Sequence, residues 1–412
     1  MQRREFIASA AGGMLAGPLA RQALAAARAP AMRIVEIETV YWPDGARVPF
    51  SPNWTWVRIQ ADTGVSGVGE TYSRNPAQAE MVHSAVSRLL LNRDPRDIER
   101  IWADLYHAFD YQVAGGAEMR VLSAVDLALW DLLGKALDSP VYRLLGGRAN
   151  PRIRAYNTCH GQDFLKDPVA IMRGLLDRYG VTAIKVWPFD SMGRRANGQY
   201  ITPAGIEEGL LPVKKLRDAF GGGIDILLEF HSLWNLPAAV RIASALEPYR
   251  PMWLEDMLMP GNFAQYRQLA EATPIPLTIG ERMAGKLQFQ SLLDSRAAKY
   301  IMFDVCWCGG MTEAKKIAAM ADAHQLPAAP HTAGGPLLFY ASTQLSASCP
   351  NIAIQESVQP SYEKRFPQIV ENPFAPQDGF LTAPDEPGLG MRIRKEVWNH
   401  PAAVRRFSKA SG

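Results

Sequence analysis

Between Ile224 and Ser357 one short apolar run after another closes on an acidic residue or a histidine, at an almost constant interval. Glu229 ends IDILLE, Glu255 ends MWLE, Glu281 ends LTIGE, Asp304 ends YIMFD, His331 ends PAAPH and Glu356 ends IAIQE, with gaps of 26, 26, 23, 27 and 25 residues. Each gap holds a segment with helix-like spacing of apolar residues. A short apolar run, a polar end, a loop and an amphipathic helix make the repeating unit of a parallel βα barrel, whose strands all open on one mouth at their C-terminal ends. Six polar groups at six successive strand ends therefore converge. Carboxylates brought close together and out of water repel each other and lose hydration, so they require a compensating cation. Glu229, Glu255 and Glu281 are three successive hard oxygen donors with no Cys or His among them, a set that suits Mg2+ better than zinc.

At 412 residues the chain exceeds one ordinary core, so two domains are expected. With 44 basic against 41 acidic residues it lacks the charge of a nucleic-acid binder. No internal stretch is long and apolar enough to span a bilayer. Residues 1–30 differ in kind: Arg3 and Arg4 precede a small, apolar run from Ala8 to Leu19, and A-x-A cleavage choices follow between Ala23 and Ala27. This pattern predicts a twin-arginine export signal and a periplasmic mature protein.

From Met32 the runs RIVEIETVYW, TWVRIQAD and GVSGVGE alternate as an antiparallel meander. Helix-period positions from Ala77 to Ala136 complete an α+β capping domain over 31–150, in which Asp131 and Lys135 form an i,i+4 pair. The barrel follows over 151–375. Its first strand, RIRAYNTC, ends at Cys159-His160, and its second, TAIKVWPF, carries Lys185 and Trp187 on one face. The same face-sharing rule puts His231 beside Glu229. An insertion from Phe189 to Pro203 lies beside the mouth, where Arg194, Arg195 and Tyr200 either meet an anionic or polyhydroxy substrate or form a solvated loop. Asp304 and His331, on adjacent strands, are placed for a carboxylate to fix the imidazole. Cys306 and Cys308 read as packing thiols, with pairing among Cys159, Cys306, Cys308 and Cys349 left open.

The runs SAVDLALWDLLGKALDSPVYRLLGG, WLED, IGER, DVCWCGGMTEAKKIA and PHTAGGP together resemble the enolase superfamily, in its mandelate racemase and galactonate-type acid-sugar dehydratase branch, from about Arg33 to Arg392. The resemblance implies an α/β fold: a (β/α) barrel of the modified TIM type with an N-terminal α+β cap, and a return segment over 376–412 crossing back onto that cap. It implies Mg2+ on Glu229, Glu255 and Glu281, and His331 as a base paired with Asp304. Glu356 matches the acidic group that faces the enolic oxygen, where a protonated carboxyl donates a hydrogen bond. His231 matches the acid that protonates the leaving hydroxyl. The loop from Pro43 to Asn53 matches one that folds over the mouth, making Arg47 and Trp54 substrate contacts, with Trp187 and Arg282. One departure stands out: Trp187 replaces the second lysine of a Lys-x-Lys pair, which weighs against a racemase using that pair.

The expected function is a Mg2+-dependent hydro-lyase that abstracts the proton next to a sugar-acid carboxylate and expels the β-hydroxyl. The alternatives are an epimerase or lactone cycloisomerase, with Lys185 or His231 reprotonating the intermediate, and a periplasmic sugar-acid binding protein without turnover. The expected partner is a small sugar acid, and the resemblance implies a homo-oligomer.

Overall fold

Strands β1 (Ile34–Tyr41), β2 (Trp54–Ala61) and β3 (Ser66–Tyr72) form the antiparallel meander that the alternation predicts. The computed structural model describes residues 31–43, 46, 48, 54–72, 75–109 and 115–411, so the expected export signal over residues 1–30 and Arg47 lie outside the described residues. The meander packs on a nearly buried helix, Gly116–Ala136. Bare glycines let strand and helix meet: a Cβ at Gly69 would stand 1.7 Å from the Ala124 carbonyl oxygen, and one at Gly67 2.1 Å from that of Ala128. Trp54 corrects the loop reading. It opens β2 opposite Tyr72, is buried, and stacks on Trp56 at 6.5 Å, so it is a strand residue packed between cap and barrel.

Eight parallel strands follow: β4 (Ile153–Thr158), β5 (Ala183–Val186), β6 (Asp225–Glu229), β7 (Trp253–Glu255), β8 (Leu277–Ile279), β9 (Tyr300–Phe303), β10 (Ala328–Pro330) and β11 (Gln355–Ser357). Each pairs with the next from β4 to β10, and β11 pairs with β4. A bridge from Ala328 to Ile352 nearly closes the ring. Several outer helices begin where the sequence marks a cap: Asp167, Thr202, Asn235 and Asn262 each accept a hydrogen bond from the first turn. Tyr156, Leu227, Trp253, Met302 and Ile354 fill the barrel interior. They form an apolar floor under the polar mouth.

After the barrel the chain runs back. β12 (Phe380–Leu381) pairs antiparallel with β4, and β13 (Val404–Lys409) joins the cap sheet beside β1. Asp131 is the clamp between these parts. Beyond its 2.6 Å contact with Lys135, it accepts hydrogen bonds from the Val68 N–H of β3 at 2.9 Å and from the Leu389 N–H of the return segment at 2.8 Å.

β3 also seats the cap on the barrel. The helix Pro336–Ser348 starts just after His331, and Glu70 Oε1 accepts from its Leu338 N–H at 3.3 Å. A Cβ at Gly335 would stand 2.2 Å from Glu70 Oε2. Gly335→Ala is therefore expected to push cap and barrel apart and destabilise the protein by about 2 kcal/mol. A thermal melt checks this, and an unchanged Tm would contradict the close fit.

All four cysteines are buried and free. They pack, as the C-x-C spacing suggests, and none is bridged.

Candidate active site

Glu229 and Glu255 are the last residues of β6 and β7, and Glu281 lies two residues beyond β8. Gly280, at φ 132°, turns the chain there, where a Cβ would meet the Met302 carbonyl oxygen at 2.3 Å. The three glutamates are buried and bring one carboxylate oxygen each within 4.8 Å of one another. Glu229 Oε1 accepts from the backbone N–H groups of Phe230 at 3.0 Å and His231 at 2.5 Å, whereas its buried Oε2 has no hydrogen-bond donor. Burial, and then the charge of Glu281, push the Glu229 carboxyl up to about 8. Burial and the charge of Glu229 push Glu255 well above the usual carboxylate range.

Asp256 adds a further acid, pushed to about 8 by burial and by Glu281 and Glu255. So dense a set of buried acids, with Glu229 Oε2 and Asp256 Oδ2 both left without a hydrogen-bond donor, fits a hard divalent cation.

Lys185, from β5, supplies part of the compensation from below. Its Nζ lies 2.5 Å from Glu255 Oε1, 3.0 Å from Glu356 Oε1 and 3.8 Å from Glu229 Oε2. Burial disfavours this cation, but the charges of Glu255 and Glu356 outweigh it and hold the amine protonated, its pKa well above the ordinary value.

Across the mouth, His331 follows β10 and Asp304 follows β9. The His331 Nδ1 lies 2.7 Å from Asp304 Oδ2, and its Nε2 lies 3.3 Å from Glu281 Oε2 and 3.7 Å from Glu356 Oε2. An ionised carboxylate only accepts, so Nδ1 carries the proton and Nε2 is left for the cavity. Burial pushes the imidazole pKa down, but Glu356, Glu281 and Asp304 outweigh it and raise it to about 10.

Glu356 is held in its charged form, so the hydrogen bond that a protonated carboxyl would donate is not available from it. Burial opposes its charge, but Lys185, His331, the Thr158 hydroxyl and the Thr332 N–H hold the carboxyl down at about 2. It is a charged acceptor, with Thr332 N–H donating to Oε2 at 2.5 Å and the Thr158 hydroxyl to Oε1.

His231 reaches the site by a different route from the face-sharing rule. β6 ends at Glu229, and His231 has a left-handed backbone, φ 49°. Its ring is 30% exposed, with Nδ1 2.8 Å from Asp190 Oδ2, an ion-pair distance without hydrogen-bond alignment. Asp190 opens the short helix Asp190–Arg195 within the insertion. Nothing in the sequence singles it out, because only the fold brings the insertion to β6.

A cavity of about 210 Å³ unites these groups. Lys185, Glu229, Glu281, His331 and Glu356 line its inner wall, and Trp187, Asp190, Arg194 and His231 its outer wall, with Thr158 and His160 between. Trp187 is held edge-on by Phe164 at 4.7 Å and faces His231 at 5.9 Å. Two expected contacts, Trp54 and Arg282, do not line it, and neither do Arg195 and Tyr200 of the insertion. Arg282 turns to Glu281, with Nε 3.2 Å from Oε1, and Arg195 and Tyr200 border a separate hollow. A larger cleft, about 510 Å³, lies between cap and return segment against Arg58, Lys135 and Trp398. It touches none of the acidic cluster, and size alone does not make it the site of chemistry.

The chain matches the family described as enolase C-terminal domain-like over residues 168–397, and the mandelate racemase / muconate lactonizing enzyme N-terminal domain over residues 51–146. It is 32% identical over 376 residues to a D-galactonate dehydratase of Pectobacterium atrosepticum, covering 89% of this chain and 93% of that protein. A D-galactonate dehydratase of Variovorax paradoxus is 31% identical, over 84% of this chain and 90% of its own. Among solved structures, an enolase of the mandelate racemase subgroup from Agrobacterium tumefaciens superposes with a TM-score of 0.84 at 36% identity, covering 92% of this chain and 99% of that one.

Proposed function

Since the chain belongs to the mandelate racemase / muconate lactonizing enzyme family of the enolase superfamily, we propose that it is a Mg2+-dependent sugar-acid dehydratase, taking a six-carbon aldonic acid such as D-galactonate. The observation that carries this reading is the single cavity that His331 and His231 line together with Glu229 and Glu281 of a buried triglutamate cluster. Glu229, Glu255 and Glu281 would hold Mg2+, which would supply positive charge to the substrate carboxylate and would engage the Glu281 charge that otherwise favours a protonated His331.

The side chains then divide the chemistry. His331 Nε2 takes the proton from C2, while Asp304 fixes the ring through Nδ1. Glu356, near Nε2, stabilises the imidazolium that results. Lys185 pairs with Glu255 and Glu356 and holds Glu356 ionised. His231 gives a proton to the C3 hydroxyl as the C3–O bond breaks, releasing water and an enol. The enol takes a solvent proton at C3 to become the 2-keto-3-deoxy acid.

The test incubates protein and Mg2+ with hexonates, pentonates and aldarates and measures keto acid. Keto acid from a hexonate is the expected result. Inversion at C2 without loss of water would replace this reading with an epimerase, and binding without turnover would replace it with a binding protein.

Asp190 gives a sharper prediction about His231. In Asp190→Asn the acid loses its charged partner, so kcat for elimination is expected to fall about 10-fold with KM little changed. Exchange of the C2 proton with D2O should rise relative to product, because the intermediate returns more often than it goes forward. Equal losses of exchange and product would contradict the assignment.

We also propose that residues 1–30 direct export through Arg3 and Arg4. Fractionation of wild type against a variant with both arginines changed to lysine tests it. Wild-type protein confined to the cytoplasm would contradict it.

A further inference from the structure

The last residue of β3 reaches from the cap into the barrel. Tyr72 is buried, and its hydroxyl donates to Asp304 Oδ2 at 2.6 Å. That oxygen also holds His331 Nδ1 at 2.7 Å, while Asp304 Oδ1 accepts from the Cys306 N–H at 2.7 Å. One carboxylate is thus fixed by three donors, one of them from the other domain.

The surroundings hold the tyrosine as firmly. Trp307 lies 4.5 Å from its ring and 5.7 Å from the His331 imidazole, stacked on the latter at 29°. Arg120, on the cap helix, sits 4.2 Å over Trp307 and donates to the Tyr72 carbonyl at 2.6 Å. Gly334 leaves room for the phenol: a Cβ there would stand 2.8 Å from Tyr72 Cε1.

We propose that Tyr72 is a positioning residue for the base: its hydroxyl, sharing the Asp304 oxygen that holds His331, sets the imidazole only when β3 of the cap is seated on the barrel. A carboxylate oxygen shared by two donors has its plane fixed, and the ring bonded to it inherits that plane. Burial, and then the charge of Asp304, push the phenol well above its ordinary range, so it keeps its proton and acts only as a donor. Cap docking and alignment of the base are therefore one contact. The consequence for turnover rests on the reading of His331 as the base. The positioning of the ring does not.

The test compares Tyr72→Phe, which keeps the ring, with Thr71→Val, which removes only a neighbouring cap–barrel contact, the Thr71 hydroxyl to the Cys306 carbonyl at 3.2 Å. Protein with 15N-labelled histidine and Mg2+ reports the His331 ring nitrogens, assigned by their loss in His331→Asn. Tyr72→Phe should move those signals and lower kcat about 10-fold or more with KM within about 2-fold, whereas Thr71→Val should change neither. Tyr72→p-aminophenylalanine, which returns an N–H donor at the same place, should recover part of the rate.

Unmoved ring signals in Tyr72→Phe would overturn the proposal. So would an equal loss of kcat in Thr71→Val, because the contact would then only hold the domains together. If Tyr72→Phe does not fold, Tyr72→Met, which likewise lacks a donor, takes its place, and ring signals identical to wild type in it sink the idea. If wild type turns over no sugar acid, the dehydratase reading fails and the ring signals still decide this one.

Discussion

Replacing His331 by Asn is expected to remove exchange of the C2 proton and turnover together, by roughly 10²- to 10⁴-fold, the contribution of a positioned general base. The substitution is mild for the fold. An Asn amide can still donate towards Asp304, which keeps its other donors in Tyr72 and the Cys306 N–H. The lost imidazole stood 3.3 Å from Glu281, where a positive charge competes with a metal. Mg2+ affinity should therefore hold or rise while the chemistry disappears. Proton NMR in D2O reads the exchange and titration calorimetry the metal. Retained exchange would remove His331 from the role of base.

Glu229→Gln should produce two effects of opposite sign. Mg2+ at 100 times its Kd stabilises a protein by about 2.7 kcal/mol, and the variant, lacking one of three ligands, should lose that response. In chelator, however, the variant should be more stable than wild type by about 1 kcal/mol, because it removes one of several buried like charges.

The sign with pH follows from Glu229 itself, raised from 4.5 to about 8 by burial and by Glu281. A carboxyl raised in the folded state contributes stability at low pH that is lost as pH rises above its unfolded value. The advantage of glutamine should thus be absent near pH 4, grow from about pH 5 and level off above about pH 8. Melts in chelator and in Mg2+ across this range check both effects. A variant that loses stability in chelator would mean that the cluster is not held against repulsion.

The parts of the site that were legible in sequence share one cause. In a βα barrel the interval between strand ends is set by the repeat, so Glu229, Glu255, Glu281, Asp304, His331 and Glu356 could be aligned by counting, and the structure brings them to one mouth. What could not be counted was contact between distant elements. Tyr72 and Asp304 are 232 residues apart, and the clamp from Asp131 to Leu389 spans 258. Asp131 therefore read as half of a local pair.

Local signals were also misweighed. Trp54 stands next to the Pro-rich loop, yet W-T-W is itself a strand period, and Trp54 and Trp56 share a face and stack. The face-sharing rule for His231 assumed an extended chain where the backbone has already turned left-handed. The protonation of Glu356 turns on Lys185, whose 3.0 Å approach from β5 favours the charged form and which no spacing in the sequence pairs with it.

The most direct measurement is the turnover of a hexonate by the Mg2+-loaded protein in D2O, followed by proton NMR of the product. Dehydration as described here places one solvent deuterium at C3 of a 2-keto-3-deoxy acid, delivered after water has left. A substrate recovered with deuterium or inverted configuration at C2, and no keto acid, would contradict it.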